Sequence, residues 1–468
     1  MTERIHTFTV AHEQSREGRG GRPSPYAAAY FLSMEVENVK CFGPRQRLDL
    51  SIDNGKPAQW TVILGDNGVG KTTLLQCIAS LQPGRATQGD LGEEFFVPMF
   101  APHSGAGDFI NSLFVESQPD VSIDASFAVG PKLTDERSAG IIDNFGARRV
   151  GEKVHLRLIP EAEAAALNHL ICYGYGAARR MGRATLSQTN PARASEGLFS
   201  DQIDLINAEE WLLQADYAAS KSSRLQARAK KRRDQISEIL IQLLPEVTDI
   251  RFAQESGEQL KPGVEFKTPY GWVLIQDLSL GYRTLTAWMV DLASRMFERY
   301  RDSSSPLAEP AIVLVDEIDL HLHPKWQRTI ISYLTERFPN TQFIVTAHSP
   351  LIVQAATDAN IVLLRREGDH VVIDNDVEAI RGWRIDQVLT SDLFGLESAR
   401  PPEFEDLLKE RNKILGKSKL TKADERRLRQ LDATIGNLPA GETPEDAKAM
   451  EIIRRAAEVL KKQGAAGA

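Results

Sequence analysis

The stretch GDNGVGKT, residues 65–72, decides the fold of this chain. It fits the pattern G-x-x-x-x-G-K-[ST] of a phosphate-binding loop, or P-loop. The short apolar run Trp60–Leu64 precedes it and predicts a buried strand, and a helix is predicted from Lys71 to about Ser80. A strand, this loop and a helix in that order are the context that confirms the pattern. The sequence therefore predicts a nucleotide-binding α/β core.

The predicted roles of the loop residues follow from phosphate chemistry. Glycines let backbone N–H groups curl around a β-phosphate, and the N-terminus of the following helix adds positive charge. Lys71 is predicted to bind the β- and γ-phosphates of ATP, and the Thr72 hydroxyl is predicted to ligate Mg²⁺. The predicted ATP-binding residues are Gly65, Asn67, Gly68, Gly70, Lys71, Thr72 and Thr73.

A second apolar run, Ile312–Val315, ends in the carboxylates Asp316 and Glu317, the Walker B form. Asp316 is predicted to hold Mg²⁺ together with Thr72. Glu317 is predicted to orient and deprotonate the attacking water, because a general base must lie within hydrogen-bond reach of that water. Two acids at a strand end also occur by chance, and the P-loop earlier in the chain favours the catalytic interpretation.

The segment LSLGYR, residues 278–283, comes directly before a predicted amphipathic helix. That helix is predicted over Thr284–Tyr300, because apolar residues recur there at steps of three and four. Ser279, the Gly281 backbone and the helix N-terminus are expected to form an anion site. The alternative is an ordinary Ser-Gly helix cap.

A further buried strand, Phe343–Thr346, is followed by His348, which lies 32 residues after Asp316. A histidine at such a position is also common as a satisfied core residue. Between the two strands, His321 and His323 have the appearance of metal ligands. Packing within the loop is the interpretation we favour for them.

The order of P-loop, LSLGYR, paired carboxylates and strand-end histidine resembles that of the ABC/SMC superfamily of ATPases. In this resemblance Ser279, Gly281 and Arg283 belong to the signature, which faces the γ-phosphate bound by a second copy. His348 matches the switch histidine, which contacts the γ-phosphate. Asp319 matches the D-loop, which crosses the dimer interface.

Lys71 and Ser279 are 208 residues apart, a spacing that favours SMC, RecF and OLD relatives over transporter domains. The runs LSLGYRTLTAWMVDLASR, VDEIDLHLHPKWQR and FIVTAHSPLIVQA are similar to standalone ATPases of bacterial anti-phage systems, namely Septu-type, retron-associated and OLD-family proteins. The resemblance covers about residues 30–395. It implies a head that dimerises or forms a higher oligomer on ATP and partners a nuclease.

OLD proteins carry a nuclease domain after the ATPase, whereas only 120 residues follow His348 in this chain. Those residues are charged and helical in pattern. An effector such as an HNH-type nuclease is therefore expected on a separate chain.

We predict an α/β fold of the ABC/SMC-type P-loop head, with an inserted helical arm and a helical C-terminal extension. The predicted divisions are a flexible arm over 1–28, a first ATPase lobe over 29–200, the helical arm over 201–250, a second lobe over 251–395 and the extension over 396–468.

The helical arm carries a basic patch, whose residues are Arg228, Lys230, Lys231, Arg232 and Arg233. It is a candidate surface for nucleic acid or an acidic partner. A solvated helix face is the alternative. Because the net charge of the whole chain is −8, any nucleic-acid contact must be local.

The chain has no apolar stretch long enough to cross a bilayer and no signal-peptide core, so we expect a cytoplasmic protein without membrane contact. A Q-loop glutamine is not evident. The run CYGYGAARR, residues 172–180, occupies about its place, and Arg179 or Arg180 is a candidate to face phosphate or nucleic acid. Surface arginines on a glycine-rich turn are the alternative.

Three functions compete at this level. The first is a defence ATPase that restrains or licenses a nuclease effector. The second is a RecF-like DNA-repair clamp, which predicts stimulation of the ATPase by duplex DNA. The third is a scaffold in which bound ATP is mainly structural.

Overall fold

The computed structural model describes residues 28–435, so the predicted N-terminal arm and the end of the C-terminal extension lie outside the described residues. Within this range, the residues left undescribed are 53–54, 89–92, 99–119, 131–132, 134–139, 151–152, 157–158, 161–164, 184–193, 254–261, 378–381, 397–400 and 418–419. Residues up to 388 belong to one compact unit, and residues from 389 belong to a second.

The strands in chain order are β1 (Ala28–Glu37), β2 (Gln46–Asp49), β3 (Ser51–Ile52), β4 (Lys56–Pro57), β5 (Trp60–Gly65), β6 (Pro83–Gln88), β7 (Glu93–Pro98), β8 (Asp120–Gly130), β9 (Gly140–Val150), β10 (Lys153–Leu156), β11 (Ile159–Pro160), β12 (Cys172–Tyr175), β13 (Asp249–Ala253), β14 (Gly263–Thr268), β15 (Gly271–Leu274), β16 (Ala311–Val315), β17 (Thr341–Thr346), β18 (Asn360–Glu367) and β19 (His370–Asp374). The α-helices are α1 (Lys71–Ser80), α2 (Ala208–Ser220), α3 (Gln226–Leu243), α4 (Leu280–Arg299), α5 (Pro324–Gln327), α6 (Ile330–Arg337), α7 (Pro350–Ala355), α8 (Ile385–Leu389), α9 (Pro402–Leu415) and α10 (Lys422–Ile435).

The central sheet has the strand order β12-β16-β17-β5-β18-β19. Its first five strands are parallel to their neighbours, and β19 is antiparallel to β18. Strands β16 and β17 are buried along their whole length, as continuous apolar runs in a parallel sheet require. Because parallel strands end at the same edge, the loops after β5, β16 and β17 meet there. The sheet therefore brings the P-loop, the Walker B carboxylates and His348 to one edge.

A second sheet is antiparallel and has the order β10-β9-β8-β1-β2. Its core includes the rings of Phe31, Phe127 and Phe145, with centroid separations of 4.7 Å for the first pair and 5.8 Å for the second. The side-chain amide of Gln342, on β17, bonds both the N–H and the C=O of Phe31 on β1. This amide therefore ties the antiparallel sheet to the central one. Strand β9 was not predicted, because its sequence has no regular alternation.

The predicted helical arm over 201–250 contains a hairpin of α2 and α3, interrupted at residues 221–225. Asn207 caps α2 by accepting the N–H of Glu210. The antiparallel sheet β13-β14-β15 follows the hairpin in the chain.

The next helix, α4, begins at Leu280 and not at Thr284 as predicted. Gly281 and Arg283 therefore lie in its first turn. The apolar period on which the prediction relied starts only after these residues.

The second unit contains a helical hairpin of α9 and α10. Three ion pairs hold it: Arg411 with Asp432, Arg427 with Glu410, and Lys417 with Asp424. Among the helices of the described residues, none combines the length and the apolar character needed to cross a bilayer.

Candidate nucleotide site

The P-loop connects β5 to α1, and its glycines have backbone conformations that other residues rarely adopt. Gly65 has a φ of +142°, and a Cβ on it would lie 2.7 Å from the carbonyl oxygen of Leu364. Gly70 has a φ of +88°, and a Cβ on it would lie 2.5 Å from Cys41 Sγ. Both positions therefore need glycine for its conformation and for its lack of a side chain.

Lys71 is 7% exposed at the start of α1. Its ammonium donates to the carbonyl oxygens of Gly65 and Asp66, both at 2.8 Å. Burial lowers the pKa of Lys71, while the negative charges of Asp316 and Glu317 act against that shift. The structure thus holds a positive charge between the P-loop and the Walker B carboxylates.

Asp316 connects the P-loop helix to the end of β17 through hydrogen bonds. Thr72 Oγ1 donates to Asp316 Oδ2 at 2.7 Å, and Thr346 Oγ1 donates to Asp316 Oδ1 at 2.6 Å. Thr346 was not among the predicted site residues. The available signal was a polar residue at the end of an apolar, buried strand, two positions before His348.

Glu317 has a φ of +50°, in the left-handed region that is uncommon for residues other than glycine. Its N–H donates to Thr346 Oγ1 at 2.7 Å, and its C=O accepts the N–H of Leu320 at 3.0 Å. The surroundings must over-determine such a conformation for it to persist. Hydrogen bonds on both sides of the residue supply that constraint.

Asp319 and His348 lie together, but they meet through the backbone. Both carboxylate oxygens of Asp319 accept the N–H of His348, at 3.2 Å each. The next residue, Ser349, caps α7 and also donates to Gln327 Oε1 at 2.7 Å. The loop that follows Walker B is therefore bound to the loop that follows β17.

The two loop histidines make different contacts. His321 is exposed and has a φ of +66°. His323 lies at the start of α5, where its Nδ1 accepts the N–H of Lys325 at 3.2 Å. The latter contact is a helix cap, in agreement with loop packing.

Ser279 is exposed and sits at the N-cap of α4. Within the described part of the chain, no capping hydrogen bond engages its side chain. A Cβ on Gly281 would lie 2.5 Å from the carbonyl oxygen of His321, so the first turn of α4 packs closely on the loop after Walker B. A cavity of about 940 Å³ opens beside this turn, lined in part by Leu280 and Arg283.

Arg179, which lies after β12, is 5% exposed and not a surface residue. Its guanidinium donates to the carbonyl oxygen of Asp316 at 2.5 Å and to that of Glu317 at 2.8 Å. Burial lowers the pKa of Arg179 to about 10, and nearby carboxylates act against that shift. The neighbouring Arg180 is exposed and pairs with Asp204. Sequence reasoning did not separate these two arginines.

The basic patch on α3 has many partners within its own chain. Arg232 donates to the carbonyl oxygen of Phe297 and lies over its ring, and Lys231 donates to the carbonyl oxygen of Ser304. Arg233 pairs with Asp216 and Asp234. These contacts direct several of the charges toward the protein, and a nucleic-acid role of the patch stays a prediction.

The donor set at Thr72 and Asp316 fits Mg²⁺. A hydroxyl and a carboxylate oxygen are 2.7 Å apart, so both can ligate one cation. Mg²⁺ prefers oxygen ligands and commonly takes only one or two from a protein, with the rest from phosphates and water.

Comparison with known proteins places this site in a family. Residues 60–354 match the family model described as AAA domain, putative AbiEii toxin, Type IV TA system. Septu protein PtuA of Bacillus mycoides (strain KBAB4) is 26% identical over 375 residues, which are 80% of this chain and 46% of that protein. The chain therefore spans about half the length of that relative.

Two retron proteins are also similar. The Retron Ec83 probable ATPase of Escherichia coli is 37% identical over 156 residues, which are 33% of this chain and 28% of that protein. The Retron Vc95 probable ATPase of Vibrio cholerae serotype O1 biovar El Tor is 25% identical over an alignment of 359 residues that covers 65% of this chain and 68% of that protein. The resemblance to Septu-type and retron-associated ATPases is thus confirmed.

Among solved structures, an Smc head bound to the C-winged helix domain of ScpA has a TM-score of 0.42 and 17% identity, covering 74% of this chain and 96% of that one. The predicted α/β P-loop head is confirmed by the parallel sheet, which carries the P-loop at one strand end and two carboxylates at another. The family model matches well over half of the chain. The chain belongs to the AAA-domain family of putative AbiEii toxins.

Proposed function

We propose that this chain hydrolyses ATP at a site completed by a second copy, and that turnover regulates a separately encoded nuclease in anti-phage defence. The family match and the two retron relatives named as probable ATPases support nucleotide hydrolysis. The arrangement of side chains supports it independently.

One observation carries the proposal: the hydrogen bonds that join the P-loop helix to Walker B. Thr72 bonds Asp316, which bonds Thr346, which accepts the N–H of Glu317. A hydrolytic site needs the phosphate-binding helix, the metal-holding carboxylate and the general base to be held in one geometry. This chain of bonds supplies such a constraint.

The chemistry follows from these positions. Lys71 and the P-loop N–H groups would bind the β- and γ-phosphates of ATP, and Glu317 would accept a proton from the attacking water. The water oxygen forms a bond to the γ-phosphorus, and the bond to the oxygen that bridges the β- and γ-phosphates breaks, which leaves ADP and phosphate. Mg²⁺ held by Thr72 and Asp316 would supply positive charge against the phosphate oxygens.

The signature is the segment that would contact the ATP bound by the second copy. Ser279 and the first turn of the 20-residue helix α4 stand at the surface, and Leu280 is 51% exposed. A helix N-terminus of this kind can bind a phosphate of ATP held by another molecule. Turnover would then depend on association of two copies, and ATP would act as a clamp or a timer.

The defence role rests on relatives named as Septu and retron proteins. We place the nuclease, of HNH type or another class, on a separate chain, as the resemblance to Septu-type and retron-associated ATPases implies.

The test is the solution mass of the Glu317→Gln variant with and without Mg-ATP, measured by light scattering beside wild-type phosphate release. Loss of the base is expected to lower phosphate release by at least about 100-fold. Because blocked hydrolysis preserves the ATP-bound state, the mass is expected to double with ATP. Glu336→Gln, a substitution of an exposed glutamate, is the matched control and should behave as wild type.

Adding Ser279→Arg to the Glu317→Gln variant should prevent the rise in mass. A monomer in every condition would overturn the role of Ser279. A constant oligomer with negligible wild-type turnover would favour the scaffold alternative. Stimulation of phosphate release by duplex DNA, lost when the four residues Lys230 to Arg233 are neutralised, would favour the repair alternative.

A further inference from the structure

Arg179 donates hydrogen bonds to the main-chain carbonyl groups of the Walker B residues and not to their carboxylates. The two terminal nitrogens of its guanidinium, Nη1 and Nη2, donate to the carbonyl oxygens of Asp316 and Glu317, at 2.5 and 2.8 Å. A planar guanidinium presents its N–H groups in a fixed fork. When it donates to the carbonyl groups of two consecutive residues, it therefore fixes the relative orientation of those carbonyl groups. Lysine has no such fork.

Glu317, whose carbonyl group accepts one of these hydrogen bonds, is also the residue with the strained backbone. Glu317 has a φ of +50°, and the bond from Arg179 engages the carbonyl on its C-terminal side, while Thr346 engages its N–H. The direction of the Glu317 side chain depends on this backbone conformation. Loss of either bond would let the peptide relax, and the carboxylate would move with it.

The same guanidinium faces the signature helix on its other side. Its central carbon lies 5.8 Å from the ring centroid of Trp288, which is buried on α4. The Trp288 ring also packs edge-on against Tyr175, at 6.0 Å, and the Tyr175 hydroxyl donates to Asp291 of α4. Arg179 therefore contacts both α4 and the two residues that follow β16.

The charge of the guanidinium is balanced by its surroundings. Burial of a cation is costly unless charges and acceptors compensate it. Asp316, Asp319 and Glu317 all lie close enough to stabilise the charged form. These are the carboxylates of Walker B and of the loop after it. The position of the Arg179 guanidinium and the positions of these carboxylates therefore depend on each other.

We propose that Arg179 is a positioning residue for Glu317, and that it links the placement of the signature helix α4 to the geometry of the hydrolytic carboxylate in the same chain. This inference rests on the proposed ATPase function. Since α4 would contact the ATP held by the second copy, Arg179 would let the occupancy of one composite site influence Glu317 of the other. Cooperative hydrolysis follows from that arrangement.

The test compares Arg179→Ala, Arg179→Lys and the matched control Arg180→Ala, which removes an exposed arginine next in the chain. We expect Arg179→Ala to lower kcat by about 100-fold, as small displacements of a catalytic group do. KM should change by less than about threefold. The affinity for ATP, measured on the Glu317→Gln background where hydrolysis is blocked, should change by less than about threefold as well. Arg180→Ala should match wild type in both.

Two readouts separate positioning from a merely structural role. Free guanidinium ion at non-denaturing concentration should restore part of the kcat of Arg179→Ala, whereas sodium chloride at equal ionic strength should not. Trp288→Leu should lower the Hill coefficient for ATP with a smaller loss of kcat. Arg179→Lys keeps the charge without the fork and should remain slow, and it serves as the test if Arg179→Ala does not fold.

The outcomes distinguish this inference from the proposed function. A wild-type protein without phosphate release would overturn both. An active wild type with Arg179 variants no slower than Arg180→Ala would overturn only the role of Arg179. Equal losses in ATP affinity and kcat, without rescue by guanidinium, would assign Arg179 to folding or nucleotide binding and would also overturn the inference.

Discussion

Thr346 is the residue whose hydroxyl connects the most parts of the site. It donates to Asp316 and accepts the N–H of Glu317, so both Walker B residues depend on one side chain. The sequence shows only a polar residue at the end of an apolar strand. Its partners Asp316 and Glu317 lie in the turn after β16, 30 and 29 residues away, and no local pattern reports them.

Replacing Thr346 by valine keeps the shape of the side chain and removes its hydroxyl. The half-buried N–H of Glu317 and the Asp316 carboxylate then each lose a partner, and we expect the free energy of unfolding to fall by about 1–3 kcal/mol. Phosphate release should fall by about 10- to 100-fold, because a group that orients a metal-binding carboxylate is lost. Urea unfolding and a phosphate assay measure the two effects.

Thr346→Ser is the control for this change, because it retains the hydroxyl. It should recover most of the turnover. The free energy of unfolding should fall somewhat, because the methyl group is lost. A Thr346→Val protein with wild-type kcat would show that the Glu317 backbone does not need this bond.

At the scale of elements, α4 contains a carboxylate in its buried face. Asp291 is fully buried and pairs with Arg295 one turn later. It also accepts a hydrogen bond from the hydroxyl of Tyr175 on β12. A helix pattern based on apolar spacing predicts the helix but not this contact. The network fixes how the signature helix lies on the edge strand of the central sheet.

We expect Asp291→Ala to lower the free energy of unfolding by about 3–5 kcal/mol, because the change breaks a buried ion pair from one side. Tyr175→Phe should cost about 1 kcal/mol, the net value of an ordinary hydrogen bond. Urea unfolding of the single and double variants gives the coupling between the two side chains. Additive effects would contradict a shared network.

At the scale of the whole molecule, the nucleotide site is made from distant parts of the chain. β5 and β12 come from the first half, and β16 and β17 come from the second, yet all four lie in one sheet. Binding at their common edge should therefore stabilise the whole compact unit and not one segment.

Mg-ATP at 100 times its Kd is expected to raise the free energy of unfolding of the compact unit that ends at Val388 by about 2.7 kcal/mol. Lys71→Ala should remove most of this gain, because Lys71 is predicted to hold the phosphates. Lys56→Ala, at an exposed position on β4, is the matched control. Thermal unfolding with and without Mg-ATP measures the effect, and an equal gain in Lys71→Ala would contradict the predicted binding mode.

The sequence by itself determined the P-loop, the helix that follows it, the two buried strands that precede Asp316 and His348, and the family resemblance. These features are local: a loop conformation, a helix period or an apolar run is specified by neighbouring residues. Only the tertiary structure decided that Arg179 is buried against Asp316 and Glu317 and that Thr346 joins them. It also decided that α4 begins at Leu280, with Gly281 against His321. Those contacts join residues far apart in the chain, and they exist only once the parallel sheet brings its strand ends to one edge.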